Sequence, residues 1–197
     1  MSRGVAIGAQ VSYPDRENFG RVAMEIDTDV LSASIAEQYA ALVDAATSCG
    51  GMVSYVKPHG ALYNVAVARE DHARVVVDLA RQHGVALFGL SGSATERCSQ
   101  IVGVPFVREW FADRNYLANG QLIPRSQTQA LVTSPQEVYE RVARAVRDGA
   151  VQTIDGAELH VAVQTICVHS DTPGAATLLQ SVRAALTRAD IHIGAAW

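Results

Sequence analysis

The residues best suited to chemistry stand together in the segment Lys57-Pro-His-Gly-Ala-Leu-Tyr-Asn64, directly after a short apolar run. A lysine can hold a phosphate or a carboxylate, and a histidine can transfer a proton or bind a metal. We therefore predict that Lys57, Tyr63 and Asn64 bind a ligand. We predict a catalytic role for His59. The alternative for this segment is a surface lysine beside a histidine that packs on a turn.

A second group of polar residues occupies the long irregular segment 113–133. Asp113 is predicted to be catalytic, because a carboxylate can act as a general base or as a ligand. Arg114 and Arg125 are predicted to bind an anion with their planar guanidinium groups. The alternative is that Asp113 and Arg114 pair elsewhere on this loop and only order it.

A third group follows the apolar run that ends at Val168. His169 and Asp171 alternate about the end of a predicted strand, so both could face one cavity. We predict that His169 is catalytic. Asp171 or Thr172 equally suits the N-cap of a helix that starts at Pro173.

A weaker signal is the turn Gly89-Leu-Ser-Gly-Ser93, which precedes a predicted helix. Backbone N–H groups at such a helix start can hold a phosphate, so Ser91 and Ser93 are predicted to contact a nucleotide. The turn is not a Walker sequence, and glycine–serine turns are common.

These groups follow elements that alternate between strand and helix patterns along the chain. Five strands are predicted at Val5–Ala9, Met52–Val56, Val85–Leu90, Val104–Phe111 and Val163–Val168. Helices are predicted at Thr28–Cys49, Arg69–His83, Ala94–Val102, Ser134–Asp148 and Pro173–Ala189. This alternation predicts an α/β fold with a parallel sheet, either open or closed as a barrel.

The position of the polar groups carries the functional prediction. In parallel α/β folds the ligand site lies beyond the carboxyl ends of the strands, and each group directly follows a predicted strand. We therefore expect Lys57, His59, Asp113 and His169 to meet around one pocket.

Composition limits the class of protein. The 197 residues predict one soluble domain over 1–197, and a net charge of −4 argues against a nucleic-acid partner. No apolar run of about eighteen residues is present, so no membrane span is predicted. Three widely spaced cysteines favour reduced thiols and a cytoplasmic location.

The same segments resemble the LamB/YcsF family in their order along the chain. The similar stretches are Gly4–Asp15, Lys57–Asn64, Phe111–Arg114, Pro124–Gln127 and Ile166–Asp171. The resemblance implies an incomplete, distorted β/α barrel of the glycoside hydrolase/deacetylase type, a class associated with carbohydrate metabolism. It also implies an ATP-dependent hydrolase that opens 5-oxoproline to L-glutamate together with B and C subunits.

Two features depart from the family pattern. The family begins with about two further βα units, and it has His-Pro where this sequence has Gln10-Val11. A barrel without its first two βα units would leave unpaired edges near Val5–Ala9 and Val163–Val168. We therefore expect a homo-oligomer, a strand exchange or an opened barrel.

The resemblance implies a mechanism in which the lactam oxygen is phosphorylated and water then attacks. Lys57 and Arg125 would neutralise charge, Asp113 or His59 would activate water, and a divalent metal such as Mg²⁺ would bind the phosphate. His169 and Asp171 would hold that metal-bound phosphate or orient the substrate, with Asp171 as the predicted metal ligand.

Two alternatives remain open. One is a metal-dependent amide or carbohydrate deacetylase, in which the metal ligands would be His59, Asp113, His169 and Asp171. The other is a truncated, non-catalytic binding subunit.

Overall fold

The computed structural model describes residues 4–194, which fall into two compact units divided between Val107 and Arg108. Each unit has its own helices and parallel strand pairing, and each is described separately below. The expectation of a single domain over residues 1–197 stays a prediction.

The first unit contains a parallel sheet with short strands. They are β1 (Ile7–Val11), β2 (Val53–Pro58), β3 (Ala86–Leu90) and the start of β4 (Phe106–Phe111). β1 pairs with β2 in a register that sets Gln10 beside Lys57 and Val11 beside Pro58. β2 then pairs with β3. β-Branched and small apolar residues suit these strands, because both faces of a parallel sheet are covered.

Helices of the first unit connect these strands. They are α1 (Thr28–Ser48), α2 (Gly60–Val65), α3 (Glu70–His83) and α4 (Ala94–Val102). Asp27 caps α1 and Ser93 caps α4 through their side-chain oxygens. α3 and α4 each end at a glycine with positive φ, Gly84 and Gly103. The apolar faces of α1 and α3 pack on the sheet through fully buried Leu31, Ile35 and Val76.

The second unit begins within β4, which pairs in parallel with β7 (Thr165–Cys167). α5 (Pro135–Asp148) and α6 (Ala175–Arg188) pack against each other. α5 starts with Ser134 as N-cap and a proline at its first position. A short antiparallel hairpin, β5 (Ala150–Gln152) and β6 (Glu158–His160), follows α5.

The parallel strands have the order β1-β2-β3-β4-β7, so the sheet is open in the described residues. This arrangement confirms the predicted α/β fold of an incomplete β/α barrel. β1 and β7 are the end strands, which are the two edges expected from the sequence. The expected oligomerisation through these edges stays a prediction.

Some element boundaries differ from the sequence prediction. β1 lies two residues later than Val5–Ala9, and β2 extends past Val56 to include Lys57 and Pro58. The short helix α2 is not predicted from the sequence, because six residues give too little periodicity to detect. The β5–β6 hairpin also escapes prediction, since each strand has only three residues.

Among residues 4–194, no helix is both long and apolar enough to cross a membrane.

Candidate functional site

The second unit contains a network centred on Asp113, which directly follows β4. Its carboxylate accepts hydrogen bonds from the backbone N–H of His169 (2.9 Å) and the hydroxyl of Thr172 (2.6 Å). It also accepts one from Nδ1 of His169, which lies 3.0 Å from both carboxylate oxygens. Asp113 is fully buried, while 22% of the His169 side chain is exposed. The two residues form an aspartate–histidine pair with the histidine outermost.

The sheet produces this pair directly. β4 and β7 are parallel neighbours, and Phe111 lies opposite Cys167 at their carboxyl ends. The chain segments that follow stay together, because Ala112 donates its N–H to the Cys167 carbonyl at 3.0 Å. Asp113 and His169 each come two residues after this last register pair, so they meet. The ring of Phe111 stacks on the His169 imidazole at 5.1 Å and fixes its plane.

The protonation states of this pair follow from its contacts. Burial alone would raise the pKa of Asp113, but hydrogen bonds from His169 and Thr172 outweigh it and the pKa lies below its ordinary value. Asp113 is therefore a carboxylate, which can only accept a hydrogen bond, so Nδ1 of His169 carries a proton. In a neutral ring, Nε2 then holds the lone pair and can accept a proton from water or a substrate.

Arg125 and Asp171 form an ion pair in the same unit, and Asp171 comes two residues after His169 in the chain. Arg125 donates from Nη1 to Oδ2 of Asp171 at 3.0 Å and from Nη2 to Oδ1 at 3.4 Å. The Arg125 side chain is 27% exposed and that of Asp171 44%. A guanidinium group held in this two-point geometry can exchange one carboxylate for another, so a ligand carboxylate could take the place of Asp171.

The predicted N-cap of α6 is wrong. Gly174, with positive φ, occupies the N-cap position, and no side chain caps the helix. Asp171 pairs instead with Arg125, and Thr172 donates to Asp113. Neither side chain caps the helix, because the segment between His169 and α6 turns before the helix begins.

Arg114 lies in the interior of the loop that follows β4. Its guanidinium donates to the carbonyls of Ala130 (3.2 Å) and Ile123, and only 4% of the residue is exposed. Burial lowers the pKa of Arg114 from its ordinary value. Arg141 supports the same loop by donating to the Arg114 carbonyl at 2.7 Å. These contacts agree with the alternative interpretation, in which Arg114 orders the loop.

The first unit contains the Lys57–Asn64 segment. Lys57 lies inside β2 and is 8% exposed, so it is not the surface lysine of the alternative interpretation. Its neighbour across the strand pair is Gln10, which is exposed. The strand is longer than predicted and ends at Pro58, which lies opposite Val11.

His59 directly follows β2 and precedes α2. Its backbone N–H donates to the Val11 carbonyl at 2.8 Å, and its ring is half-buried. Tyr63 is buried on α2, and Asn64 is exposed with its amide donating to the Gly60 carbonyl at 3.2 Å. The predicted catalytic role of His59 stays a prediction. The predicted binding roles of Tyr63 and Asn64 stay predictions.

The turn before α4 is occupied by a carboxylate. Ser93 is fully buried, and its hydroxyl accepts from the N–H of Glu96 at 3.2 Å. Glu96 in turn accepts from the N–H of Gly92 at 2.7 Å, an arrangement that resembles a capping box. Ser91 is exposed. A negative side chain already fills the helix start where a phosphate would bind, and nucleotide contact at Ser91 and Ser93 stays a prediction.

The described residues do not fit a metal site made of protein ligands. Among residues 4–194, no group of three or more histidine, cysteine, aspartate or glutamate side chains is placed to hold an ion. Asp113 uses both carboxylate oxygens for hydrogen bonds, and Asp171 is paired with Arg125. The deacetylase alternative and the role of Asp171 as a metal ligand stay predictions.

Sequence reasoning predicts Asp113 and His169 in one candidate site, and the structure shows them in direct contact. It does not identify Thr172 and Phe111 as members of that site, although they hold the pair from two sides. The sequence could have indicated both residues by their position, since each lies within three residues of a predicted site residue at a strand end. The expectation that Lys57 and His59 join the same pocket stays a prediction.

A family model and several curated proteins are similar to this chain over nearly its whole length. A model of the LamB/YcsF family matches residues 1–196. The chain is 46% identical over 195 residues to the A subunit of 5-oxoprolinase from Streptomyces coelicolor, covering 98% of this chain and 78% of that protein. The corresponding protein of Mycobacterium ulcerans is 40% identical over 195 residues, with 98% and 77% covered.

A solved structure agrees with these sequence relatives. The lactam utilization protein from Thermus thermophilus superposes with a TM-score of 0.89 at 34% identity. The match covers 98% of this chain and 78% of that chain. The fold and the family expected from the sequence motifs are both confirmed.

Proposed function

Because the chain belongs to the LamB/YcsF family, we propose that it is the A subunit of an ATP-dependent 5-oxoprolinase. In this proposal it acts with B and C subunits in the cytoplasm to open 5-oxo-L-proline to L-glutamate. The aspartate–histidine pair of the second unit is the observation that carries the proposal. It supplies a proton acceptor of the kind that hydrolysis of an amide requires.

The substrate explains why a cationic group in the same unit as the pair is useful. 5-Oxoproline carries a carboxylate and a cyclic amide, whose resonance makes the carbonyl carbon a poor electrophile. Arg125 would bind the substrate carboxylate with its planar guanidinium in place of Asp171, which it contacts at 3.0 Å. Lys57 would neutralise phosphate charge.

ATP is a co-substrate that converts the amide into a reactive form. The lactam oxygen accepts the γ-phosphoryl group, which breaks the bond to ADP and makes the ring carbon electrophilic. Any Mg²⁺ that accompanies ATP would be held mainly by its phosphates. ATP binding and the metal are both expectations of the proposal.

His169 acts in the step that opens the ring. Water adds to the activated carbon while Nε2 of His169 takes its proton, and the ring C–N bond then breaks as the nitrogen is protonated. The product is an acyl phosphate of glutamate, and a second water releases phosphate and L-glutamate. Asp113 stabilises the imidazolium that forms and keeps Nδ1 protonated. His59 is the second proton-transfer group of the proposal.

The proposal is tested with the assembled complex. The chain is mixed with its B and C subunits, and L-glutamate and ADP are measured with 5-oxoproline as substrate. We expect both products in equal amounts, and no ring opening when this chain is omitted. Equal rates with and without this chain would contradict the proposal. Binding to the partners without turnover would favour the non-catalytic binding subunit.

A further inference from the structure

A strained residue stands beside His59 in the first unit. Phe19 has a φ of 56°, in the left-handed region that a residue with a Cβ atom rarely adopts. Its backbone carbonyl lies 3.2 Å from Nε2 of His59. Its ring meets the His59 ring edge to face at 5.0 Å, although Phe19 itself is 65% exposed. Strained backbone of this kind persists only where surrounding contacts enforce it.

The surrounding contacts are made by Gly20, the residue that follows Phe19. The N–H of Gly20 donates to the Asp15 carbonyl at 2.8 Å, and the N–H of Ala61 donates to the Gly20 carbonyl at 2.9 Å. Gly60 makes this second contact possible, because a Cβ atom there would lie 2.3 Å from the Gly20 carbonyl oxygen. The loop that carries Phe19 is therefore held against the turn that carries His59.

The carbonyl contact decides which nitrogen of His59 carries the proton. A carbonyl oxygen only accepts hydrogen bonds, so the contact with Phe19 requires an N–H at Nε2. In the neutral ring, the lone pair is then on Nδ1. The Phe19 ring, placed at 85° to the imidazole, limits rotation of that ring. Arg21 lies over the Phe19 ring at 5.2 Å and limits its movement in turn.

We propose that Phe19 is a positioning residue for His59. Its backbone carbonyl holds the imidazole in the Nε2–H form, and its ring fixes the plane of the imidazole. The catalytic consequence rests on the proposed function, in which His59 transfers a proton. The tautomer itself does not rest on that function, so the two can fail separately.

The test uses the full chain, alone for spectroscopy and in the B and C complex for kinetics. Phe19→Gly removes the ring and the strain together, because glycine adopts positive φ freely. Phe19→Tyr keeps the ring and serves as the conservative variant. Val22→Ala is the matched control, since Val22 is a 51% exposed apolar residue in the same loop. Chain labelled with ¹⁵N-histidine reports the His59 tautomer, with His59→Gln as the assignment variant.

In the wild-type chain we expect the Nε2–H form of His59 to dominate when the ring is neutral. Phe19→Gly should shift the tautomer towards a mixture and lower kcat about tenfold with KM unchanged, while folding stability stays at or above that of wild type. Phe19→Tyr and Val22→Ala should retain the wild-type tautomer and kcat.

Three results would overturn the proposal. The first is a dominant Nδ1–H form in the wild-type chain. The second is a Phe19→Gly variant with wild-type tautomer and kcat. The third is a loss of activity in that variant with the tautomer unchanged, because Phe19 would then act on something other than His59. A wild-type complex that does not open 5-oxoproline contradicts the proposed function alone, and the tautomer measurement still decides the role of Phe19.

Discussion

In both His72 of the first unit and His169 of the second, Nδ1 makes a hydrogen-bond contact with a side-chain oxygen atom. The surroundings of the two rings differ. His72 contacts the hydroxyl of Tyr13 at 2.6 Å and is fully buried. His169 contacts the Asp113 carboxylate at 3.0 Å, and 22% of its side chain is exposed. The same connection therefore produces a structural histidine in one unit and a candidate base in the other.

The two histidines differ in the charge of the side chain that each contacts and in the access of solvent to each ring. Burial lowers the pKa of His72, so the neutral ring is favoured, and its neutral partner Tyr13 gives a cation little support. The partner of His169 is the ionised carboxylate of Asp113, and solvent reaches part of the His169 ring. A histidine with an ordered Nδ1 contact is thus a catalytic candidate only when its partner is charged and its ring is accessible.

The largest expected effect comes from replacing each histidine by glutamine. His169→Gln should lower ring opening by the complex at least about a hundredfold, because the proton acceptor is lost. His72→Gln should leave kcat per folded molecule unchanged and lower the free energy of unfolding by about 1–3 kcal/mol, because a buried contact is lost. Turnover and chemical denaturation of both variants check the contrast. A comparable loss of kcat in both variants would contradict the proposed difference between the two histidines.

A smaller effect is expected from Asp113→Asn, which keeps the size of the side chain and removes its charge. The imidazolium of His169 loses its ionised partner, so we expect kcat to fall about tenfold or more. Kinetics of the folded variant provide the measurement, and Thr172→Val is the matched control that removes one hydrogen bond and leaves the charge. A wild-type kcat in Asp113→Asn would show that the carboxylate has no part in the reaction.

Tyr13→Phe should affect stability and leave turnover unchanged. Removal of the hydroxyl leaves Nδ1 of the buried His72 without its 2.6 Å contact, which costs about 1–2 kcal/mol. Urea denaturation measures the loss. Stability equal to that of wild type would mean that this buried contact contributes nothing to folding. His72 would then have no structural role to set against the role of His169.

The smallest effect is expected in alkali. Burial raises the pKa of Tyr13 to about 12, so the folded state favours the protonated phenol. This stabilisation is fully present below the pKa of an unfolded tyrosine, about 10, and is lost as the pH rises towards 12. Midpoint temperatures across this range should fall more steeply in wild type than in Tyr13→Phe. If midpoint temperature fell with pH in parallel for wild type and Tyr13→Phe, the raised pKa of Tyr13 would be contradicted.

Much of the fold could be predicted from the sequence, because its elements are periodic and clearly terminated. α4 has the predicted bounds, Ala94–Val102, since Ser93 and Gly103 mark its ends chemically. Strand ends are harder to predict: β2 continues through Pro58, which local patterns do not favour. α2 and the β5–β6 hairpin are too short for a periodic signal.

Part of the site could be predicted from the same strand pattern. Asp113 and His169 follow neighbouring parallel strands, so the pattern alone brings them together. Their division of roles was not predictable, because it depends on which side chain is buried and where each hydrogen bond goes. Arg114 shows this clearly: its sequence position suggests an anion site, yet its guanidinium binds carbonyl oxygens inside the loop.

The most direct test of the account is chemical rescue of His169→Gly in the complex with the B and C subunits. If His169 is the proton acceptor that Asp113 supports, imidazole added to the folded variant should restore 5-oxoproline opening in proportion to its concentration. The same imidazole should not accelerate wild type or restore Asp113→Asn. A His169→Gly variant that opens 5-oxoproline at the wild-type rate without imidazole would contradict the account.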